Sequence, residues 1–470
     1  MRVLQVTNGF PPTATAGVEQ YTHQLSRGLS TRHDVRIFCR ESAPDRADYE
    51  LLDGRFDGLQ VRRVVNDFQH ASRIQTFYLD RCIESIFEHT LDEWEPDLIH
   101  FQHCIGLSAS LLRVAADAGI PHLLTLHDYW FICSRVQLLH RQGHICPGPA
   151  GGVNCYDCAP SPDHLLLPLK GTRIYQLLRK RLNEHTKRRI LGTLSTAAHR
   201  LPRTHRELAR SPYIDRDSYM LSLLAQTPLI LTPSRFVRDL YVNHGLPQSR
   251  IQVMSLGLDL SPWRGETPKQ GNPGNGLHVG YLGALLRHKG VDILLRAFRR
   301  LQEPGATLAI HGFAMPGDPF VSQVRRFVAK DPRAMLMDRY HQEDLPAILR
   351  KIDVVVVPSL WHETFSIVAR EALLSGTPVV ASEVGALPEI VEHGRNGLLV
   401  PAGDADALHG ALQRLSVERG LLARLQDGAL HSTQQIKSME DHVDEVEEQY
   451  MRLAHESETK RNPTYSHPSK

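Results

Sequence analysis

Glu363 and Glu371 stand eight positions apart, one in a polar loop and one inside a predicted helix. Between them, Thr364, Phe365, Ser366 and Ile367 would open that helix, so their backbone N–H groups lack intrahelical partners. Free donors and the positive end of the helix dipole then point the same way, which is how a helix start holds phosphate. Carboxylates on either side of such a cradle suit a sugar nucleotide. One can hold ribose hydroxyls while the other faces the sugar. An isolated pair of glutamates is more often a loop charge and a solvated helix residue, so the assignment needs the rest of the chain. Lys289 supplies the complementary charge. It precedes a helix start at Gly290, where it can pair with a diphosphate as a point charge; a solvated loop lysine is the alternative. Gly283 lets backbone approach a ligand, and Gly312 ends a strand where a base or phosphate can meet the main chain.

The elements that must position these groups follow from pattern. Val354–Val357 is a short β-branched run ended by Pro358, which reads as a buried parallel strand. Ile367, Val368, Ala372 and Leu373 form the stripe of a helix packed on a sheet, Gly376 stops it, and PVVAS is the next strand. The N-terminal half repeats the theme: a strand at Val3–Thr7, a Gly/Pro loop, a helix at 18–29 and a strand at 34–39. It lacks G-x-G-x-x-G, so nothing there argues for a nicotinamide cofactor. His103 and His127 each fall just past a strand end, where open α/β sheets gather ligands. GETPKQGNPGNG at 265–276 is a flexible linker by composition.

Two stretches stand apart. Cys133, Cys146, Cys155 and Cys158 follow the spacing C-x12-C-x8-C-x2-C, which fits a structural four-thiolate zinc site; reduced bystanders or a redox pair are the alternatives. Such a closed site would not be catalytic. Residues 170–210 hold twelve Lys/Arg against two Glu, with apolar residues at helical spacing. That is either a basic amphipathic surface for anionic membrane or an ordinary stripe with solvated charges.

Composition narrows the class. The chain has 470 residues, 41% hydrophobic and 23% charged, with a net charge of +2, so nothing global points to nucleic acid. Neither a secretory h-region nor an apolar run of membrane-spanning length is visible, and seven cysteines in such a chain should be mostly reduced; the expectation is a cytoplasmic protein, peripheral at the inner membrane face if the basic stretch binds lipid. Asp215-Arg-Asp217 and Asp404-Ala-Asp406 look like metal-binding D-x-D but adjoin a basic helix and start an ordinary one.

The ordered set PSLWHETFSIVAREAL, then G-x-P-V-V-A-S, then Gly385, Glu389, Ile390, Val391, Gly394, Asn396, Gly397, Leu399 and Val400, resembles glycosyltransferase family 4, the group 1 retaining glycosyltransferases. The likeness covers nearly the whole chain. It implies the GT-B fold: two doubly wound Rossmann-like α/β domains facing a cleft. Here that gives an acceptor-side domain at 1–262 with a Cys-rich, basic helical insertion at 133–225, and a nucleotide-sugar domain at 277–436. A helix at 437–456 would return to the first domain, leaving a disordered tail at 457–470. The resemblance also implies a metal-independent retaining transfer from a nucleotide-diphosphate sugar to a glycan, lipid-linked or small-molecule acceptor, with no cofactor required for catalysis; a structural zinc rests on the cysteine spacing alone. His127 matches the family's active-site histidine, Tyr340 the residue near the base, and Gly17 the remnant of a glycine pair near donor and acceptor. The family's Arg after the first glycine is Ala284 in this chain, and Arg287 is the residue placed to reach in instead. A sugar-nucleotide epimerase or hydrolase, and a non-catalytic nucleotide-sugar-binding subunit, remain the alternatives.

Overall fold

The computed structural model describes residues 1–71, 73–158, 211–265, 276–313 and 318–461. The basic stretch at 170–210 and the linker at 266–275 lie outside the described residues, so neither the helical insertion nor the membrane surface is tested by it.

Eight strands build the first sheet: β1 (Arg2–Thr7), β2 (Asp34–Glu41), β3 (Leu51–Phe56), β4 (Leu59–Val65), β5 (Leu98–Phe101), β6 (His122–Thr125), β7 (Leu229–Thr232) and β8 (Ile251–Val253). Their spatial order is β3-β4-β2-β1-β5-β6-β7-β8. All pairs are parallel except β3 with β4, a hairpin turning at Asp57-Gly58 on the sheet edge. Six more strands, β9 (His278–Leu282), β10 (Thr307–His311), β11 (Ala334–Met337), β12 (Val354–Val357), β13 (Val379–Ser382) and β14 (Gly397–Val400), form a fully parallel sheet ordered β11-β10-β9-β12-β13-β14. Every residue of β12 and β13 is buried, as expected for strands covered on both faces.

Five helices border the space between the sheets or tie them together: α1 (Gly17–Leu29), α2 (Arg235–Asn243), α3 (Val291–Phe298), α4 (Ile367–Leu374) and α5 (Met439–Arg461). In each sheet the strand order reverses once, between β1 and β5 and between β9 and β12. Loops leaving the carboxyl ends of strands at such a switch point diverge to opposite faces and open a crevice. The two sheets present these crevices to one another.

α5 closes the circuit by returning from the second sheet to the first. Arg32 pairs with Asp444 at 2.7 Å and also with Glu447, and Val443 packs where a side chain on Gly28 would have to sit. The helix runs to Arg461, past the end expected at 456, because Glu456-Ser-Glu-Thr-Lys-Arg461 contains no helix breaker.

Candidate functional site

Two confluent cavities occupy the space between the sheets. The inner one, of about 260 Å³, is lined by Gly17, Tyr21, His127, Gly283, Ala284, Lys289 and Glu363, and by Thr364 through Ile367. The outer one, of about 750 Å³, shares Gly17, Tyr21, Gly283, Phe365 and Ile367, and adds Gly312, Arg339, Tyr340 and Glu371.

Lys289 reaches the inner cavity because the chain after β9 makes one tight turn before α3. Gly290 takes φ +71 there, and a Cβ on it would lie 1.9 Å from the Pro358 carbonyl oxygen. Only glycine allows the β9 loop to lie against the β12 loop this closely. The result is an ion pair: Lys289 Nζ donates to Glu363 Oε1 at 2.8 Å, and lies 4.9 Å from the centre of the Trp361 ring. Ser359 Oγ (2.5 Å) and Trp361 Nε1 (2.9 Å) donate to the same oxygen. Glu363 is only 6% exposed. Burial works to raise its carboxyl, but the Lys289 charge and these hydrogen bonds outweigh that and hold it below the usual carboxylate range.

Glu371 is also 6% exposed, but its Oε1 accepts only from Gln342 Nε2 at 3.2 Å. Burial pushes its carboxyl up to about 7. The two glutamates therefore differ in kind: one is a fixed anion, the other titrates near neutrality.

The helix start expected at Thr364 begins later. α4 starts at Ile367, and Ser366 precedes it at φ +60, a left-handed conformation unusual outside glycine. Thr364 and Phe365 belong to the loop. Thr364 Oγ1 donates across the cleft to the His127 carbonyl at 2.9 Å, and Tyr129 Oη donates to the His362 carbonyl at 3.0 Å. A third bridge joins the same lobes: Glu389 accepts from the N–H groups of Arg235 (3.1 Å) and Phe236 (2.6 Å) at the start of α2.

On the opposite wall, the His127 ring packs against Tyr21 at 4.9 Å, tilted by 60°, and its Nε2 meets Gln102 Oε1 at 2.8 Å. Burial brings its imidazole down to about 3, with His103 and His442 adding to the drop and Asp128 opposing it. His127 is thus neutral near pH 7. His103 is a structural residue: its Nε2 meets Asp128 at 2.8 Å and its Nδ1 accepts from the Ile105 N–H.

Of the remaining residues singled out in the sequence, Gly17, Gly283, Gly312 and Tyr340 all line one or both cavities. Gly312 has a packing reason as well, since a Cβ there would lie 2.3 Å from the Gly283 carbonyl oxygen. Arg287 does not join them. Its guanidinium sits 5.0 Å over the Phe320 ring and donates to Gln323, so the helix carrying those two residues draws it away from the cavity. The four-thiolate zinc site is not formed either. Among the described residues no group of three or more His, Cys, Asp or Glu side chains is placed to hold a metal ion. Asp404 of the second D-x-D caps the helix that succeeds it, accepting from the Asp406 and Ala407 N–H groups. Among the described residues no helix is long and apolar enough to cross a membrane.

Sequence reasoning passes over Ser359, Trp361, Gln102, Tyr21 and Arg339. Ser359 and Trp361 lie in the same loop as Glu363, and Gln102 lies beside His103; position next to a strand end is the signal available for all three.

Two family models match the chain. "Glycosyl transferase 4-like domain" matches residues 16–150 and "Glycosyl transferases group 1" matches residues 276–417. Similar curated proteins include a D-inositol 3-phosphate glycosyltransferase of Corynebacterium aurimucosum, 33% identical over 40% of this chain and 48% of that protein. They also include the glycogen synthase of Mycobacterium tuberculosis, 25% identical over 88% of this chain and 85% of that protein. The chain spans about half or less of the length of the D-inositol 3-phosphate glycosyltransferases it matches, 48% and 41% in two cases. Among solved structures, Anabaena HepE in complex with UDP is similar at TM-score 0.63 and 17% identity, covering 96% of this chain and 100% of that one. Sucrose-phosphate synthase from Thermosynechococcus elongatus is similar at TM-score 0.61 and 18% identity, covering 96% and 99%. At such identities the likeness establishes a shared GT-B fold.

Proposed function

The chain belongs to the group 1 glycosyltransferases of GT-B fold, and from that premise we propose that it is a retaining glycosyltransferase. It would move a sugar from a nucleotide-diphosphate sugar to a glycan, lipid-linked or small-molecule acceptor, without a catalytic metal. The observation that carries this reading is Lys289 held at 2.8 Å on Glu363 beside the start of α4, at the switch point of the second sheet.

In this reading residues 277–436 take the donor. The diphosphate lies over the N–H groups at Ser366 and Ile367 with Lys289 beside it, and Glu371 holds the ribose hydroxyls. Glu363 fixes Lys289 and faces the sugar. Residues 1–262 take the acceptor near Gly17 and His127, and α5 ties the two halves together. As the bond between the anomeric carbon and the β-phosphate oxygen breaks, negative charge gathers on the departing diphosphate. Lys289 and the helix start then stabilise the transition state more than the ground state. The acceptor oxygen bonds the anomeric carbon, and its proton passes to the departing phosphate. The contacts of Thr364, Tyr129 and Glu389 across the cleft keep water from competing with the acceptor.

A panel of nucleoside diphosphates and their sugars, read first by thermal shift and then by turnover with and without acceptors, tests the proposal. Sugar transfer to an acceptor is the expected result. Release of free sugar regardless of acceptor would favour a hydrolase. One observation favours a non-catalytic binding subunit instead: Ala284 replaces a cation and Arg287 is turned away, so among the described residues Lys289 is the one Lys or Arg lining the inner cavity. Nucleotide binding with no turnover would select that reading. We also propose 170–210 as a contact for anionic membrane; co-sedimentation with liposomes that ignores anionic lipid and salt would remove it.

A further inference from the structure

Behind His127 lies a buried polar chain that spans three strands and ends on the C-terminal helix. Gln102 Nε2 donates to Gln5 Oε1 at 3.0 Å, and Gln5 Nε2 donates to Tyr450 Oη at 2.9 Å. Tyr450 Oη, having accepted that bond, gives its own proton to His100 Nδ1 at 2.7 Å. His100 Nδ1 is therefore an acceptor, its Nε2 carries the proton, and that nitrogen donates to Thr125 Oγ1 at 2.7 Å. Gln102 Nε2 also approaches His100 Nδ1 at 3.1 Å, consistent with the same roles. Gln5, His100, Gln102 and Tyr450 are each completely buried.

With those donors spent, the Gln102 carbonyl oxygen is left to accept, and His127 Nε2 stands 2.8 Å from it. His127 must then carry its proton on Nε2. Among the described residues its Nδ1 takes no hydrogen bond, while the ring itself lines the inner cavity.

We infer that Gln102 is a positioning residue: it holds His127 as the Nε2–H tautomer, so that the ring offers its Nδ1 lone pair to a hydroxyl of the substrate bound in the cavity. Tyr450 anchors the orientation from the far end of the chain. Rejecting a substrate that lacks this hydroxyl follows directly, since a buried acceptor left unpaired costs more than the bond gains. The inference rests on the proposed glycosyl transfer and deepens it. The groups that face His127 are His100 from β5, His103 just beyond it, Asp128 beside it, Tyr21 from α1, His442 from α5, and Lys289 with Glu363 across the cavity. Burial keeps the ring neutral against the pull of the Asp128 carboxylate.

Three measurements test it. Nitrogen-15 NMR of histidine-labelled full-length protein at pH 7, assigned by difference against His127→Phe, should show the proton of His127 on Nε2. Reversing every donor along the chain would move it to Nδ1, and that result overturns the inference. Gln102→Glu would place a carboxylate on the Nε2–H and stabilise the imidazolium, which has no lone pair on Nδ1. A carboxylate raises the imidazole from about 3 by at most about three pH units, so the ratio of variant to wild-type kcat at saturating donor should fall roughly tenfold between pH 8.5 and pH 5, with donor Kd equal to that of the wild type at each pH. A ratio that does not vary with pH refutes the role. Tyr450→Phe should lower kcat at all pH values without altering donor Kd, and a kcat equal to wild type refutes the anchor. If either variant fails to fold, the NMR measurement on the wild-type chain still decides. If no nucleotide sugar is turned over by the wild type, glycosyl transfer is lost as the function, while the tautomer remains readable.

Discussion

Replacing Lys289 with alanine should separate the structural from the chemical work of one side chain. Glu363 is 6% exposed, and three donors converge on its Oε1, of which Lys289 is the only charged one. Removing a partner from a fully buried pair costs about 3–5 kcal/mol, chiefly because the other charge is stranded. Two features reduce that here: the Lys289 side chain is 28% exposed, and Ser359 and Trp361 stay bonded to the carboxylate. A loss of about 2 kcal/mol in unfolding free energy at pH 7.5 is expected. Its pH dependence has a definite sign. In the wild type the Glu363 carboxyl is depressed, so its contribution is present above the unfolded carboxylate pKa and lost as pH falls through the lower, folded value. Without Lys289, burial dominates and the carboxyl rises instead, so the variant gains stability as pH drops. The gap between the two proteins should narrow from pH 7.5 towards pH 4.

The double variant Lys289→Ala/Glu363→Gln then decides the argument. Neutralising the stranded carboxylate should recover most of the lost stability in urea titrations. It should not recover turnover, because among the described residues no other Lys or Arg lines the inner cavity where the diphosphate is proposed to sit. Losing one preorganised charge of this kind costs about 10²–10³ in kcat. If the double variant regains wild-type turnover, or if Lys289→Ala alone loses less than threefold, Lys289 is a structural ion-pair partner and the leaving-group assignment is wrong.

The other expectations concern neighbours of that pair. With its carboxyl at about 7, Glu371 ionises across neutrality, so nucleotide-sugar affinity by calorimetry should rise roughly tenfold from pH 6 to pH 8. Since that pKa is raised on folding, its stabilising contribution is complete below the unfolded value and disappears as pH climbs through about 7; Glu371→Gln should erase both dependences. Ser366→Gly relieves a left-handed φ of +60 and should add about 1 kcal/mol of stability in denaturant; a loss instead would mean the side chain is needed there. Glu389→Ala strips acceptors from two N–H groups at the start of α2 and should cost about 1 kcal/mol. It should also increase the radius of gyration of the ligand-free protein in X-ray scattering; an unchanged radius would show that this contact does not hold the lobes together.

What the sequence reveals is what neighbours in sequence decide. Strand, loop and helix around Glu363 and Glu371 succeed one another within a few dozen residues, so their periodicity and the turn at Gly376 place both carboxylates without tertiary knowledge. The same holds for Lys289, one turn after β9. Arg287 shows the limit. Its direction is set by Phe320 and Gln323, which come from a helix beyond the next strand and carry no signal near Arg287. The cysteine spacing fits a metal knuckle, but spacing does not fix where Sγ atoms point, and among the described residues no three such ligands gather. The β3–β4 hairpin has a local signal in its Asp57-Gly58 turn, yet it escapes pattern reading because β3 is mostly exposed and shows little apolar alternation.

The contacts that could not be read at all are those whose partners lie hundreds of positions away. Gln5 and Tyr450 are 445 residues apart, and His127 and Thr364 are 237 apart. That distribution has a mechanistic sense. The loop after β12 supplies Glu363 to Lys289 on one side, and Thr364 and the His362 carbonyl to the N-terminal sheet on the other. In the proposed reading a phosphate at the start of α4 would land beside the same few residues that bridge the lobes, and a shift of Ser366 or Ile367 towards it would be felt at the His127 carbonyl through Thr364. His127 is in turn braced through Gln102 against the core of the first sheet and α5. Donor binding and lobe closure therefore draw on one set of contacts, and a substitution that loosens either should weaken both.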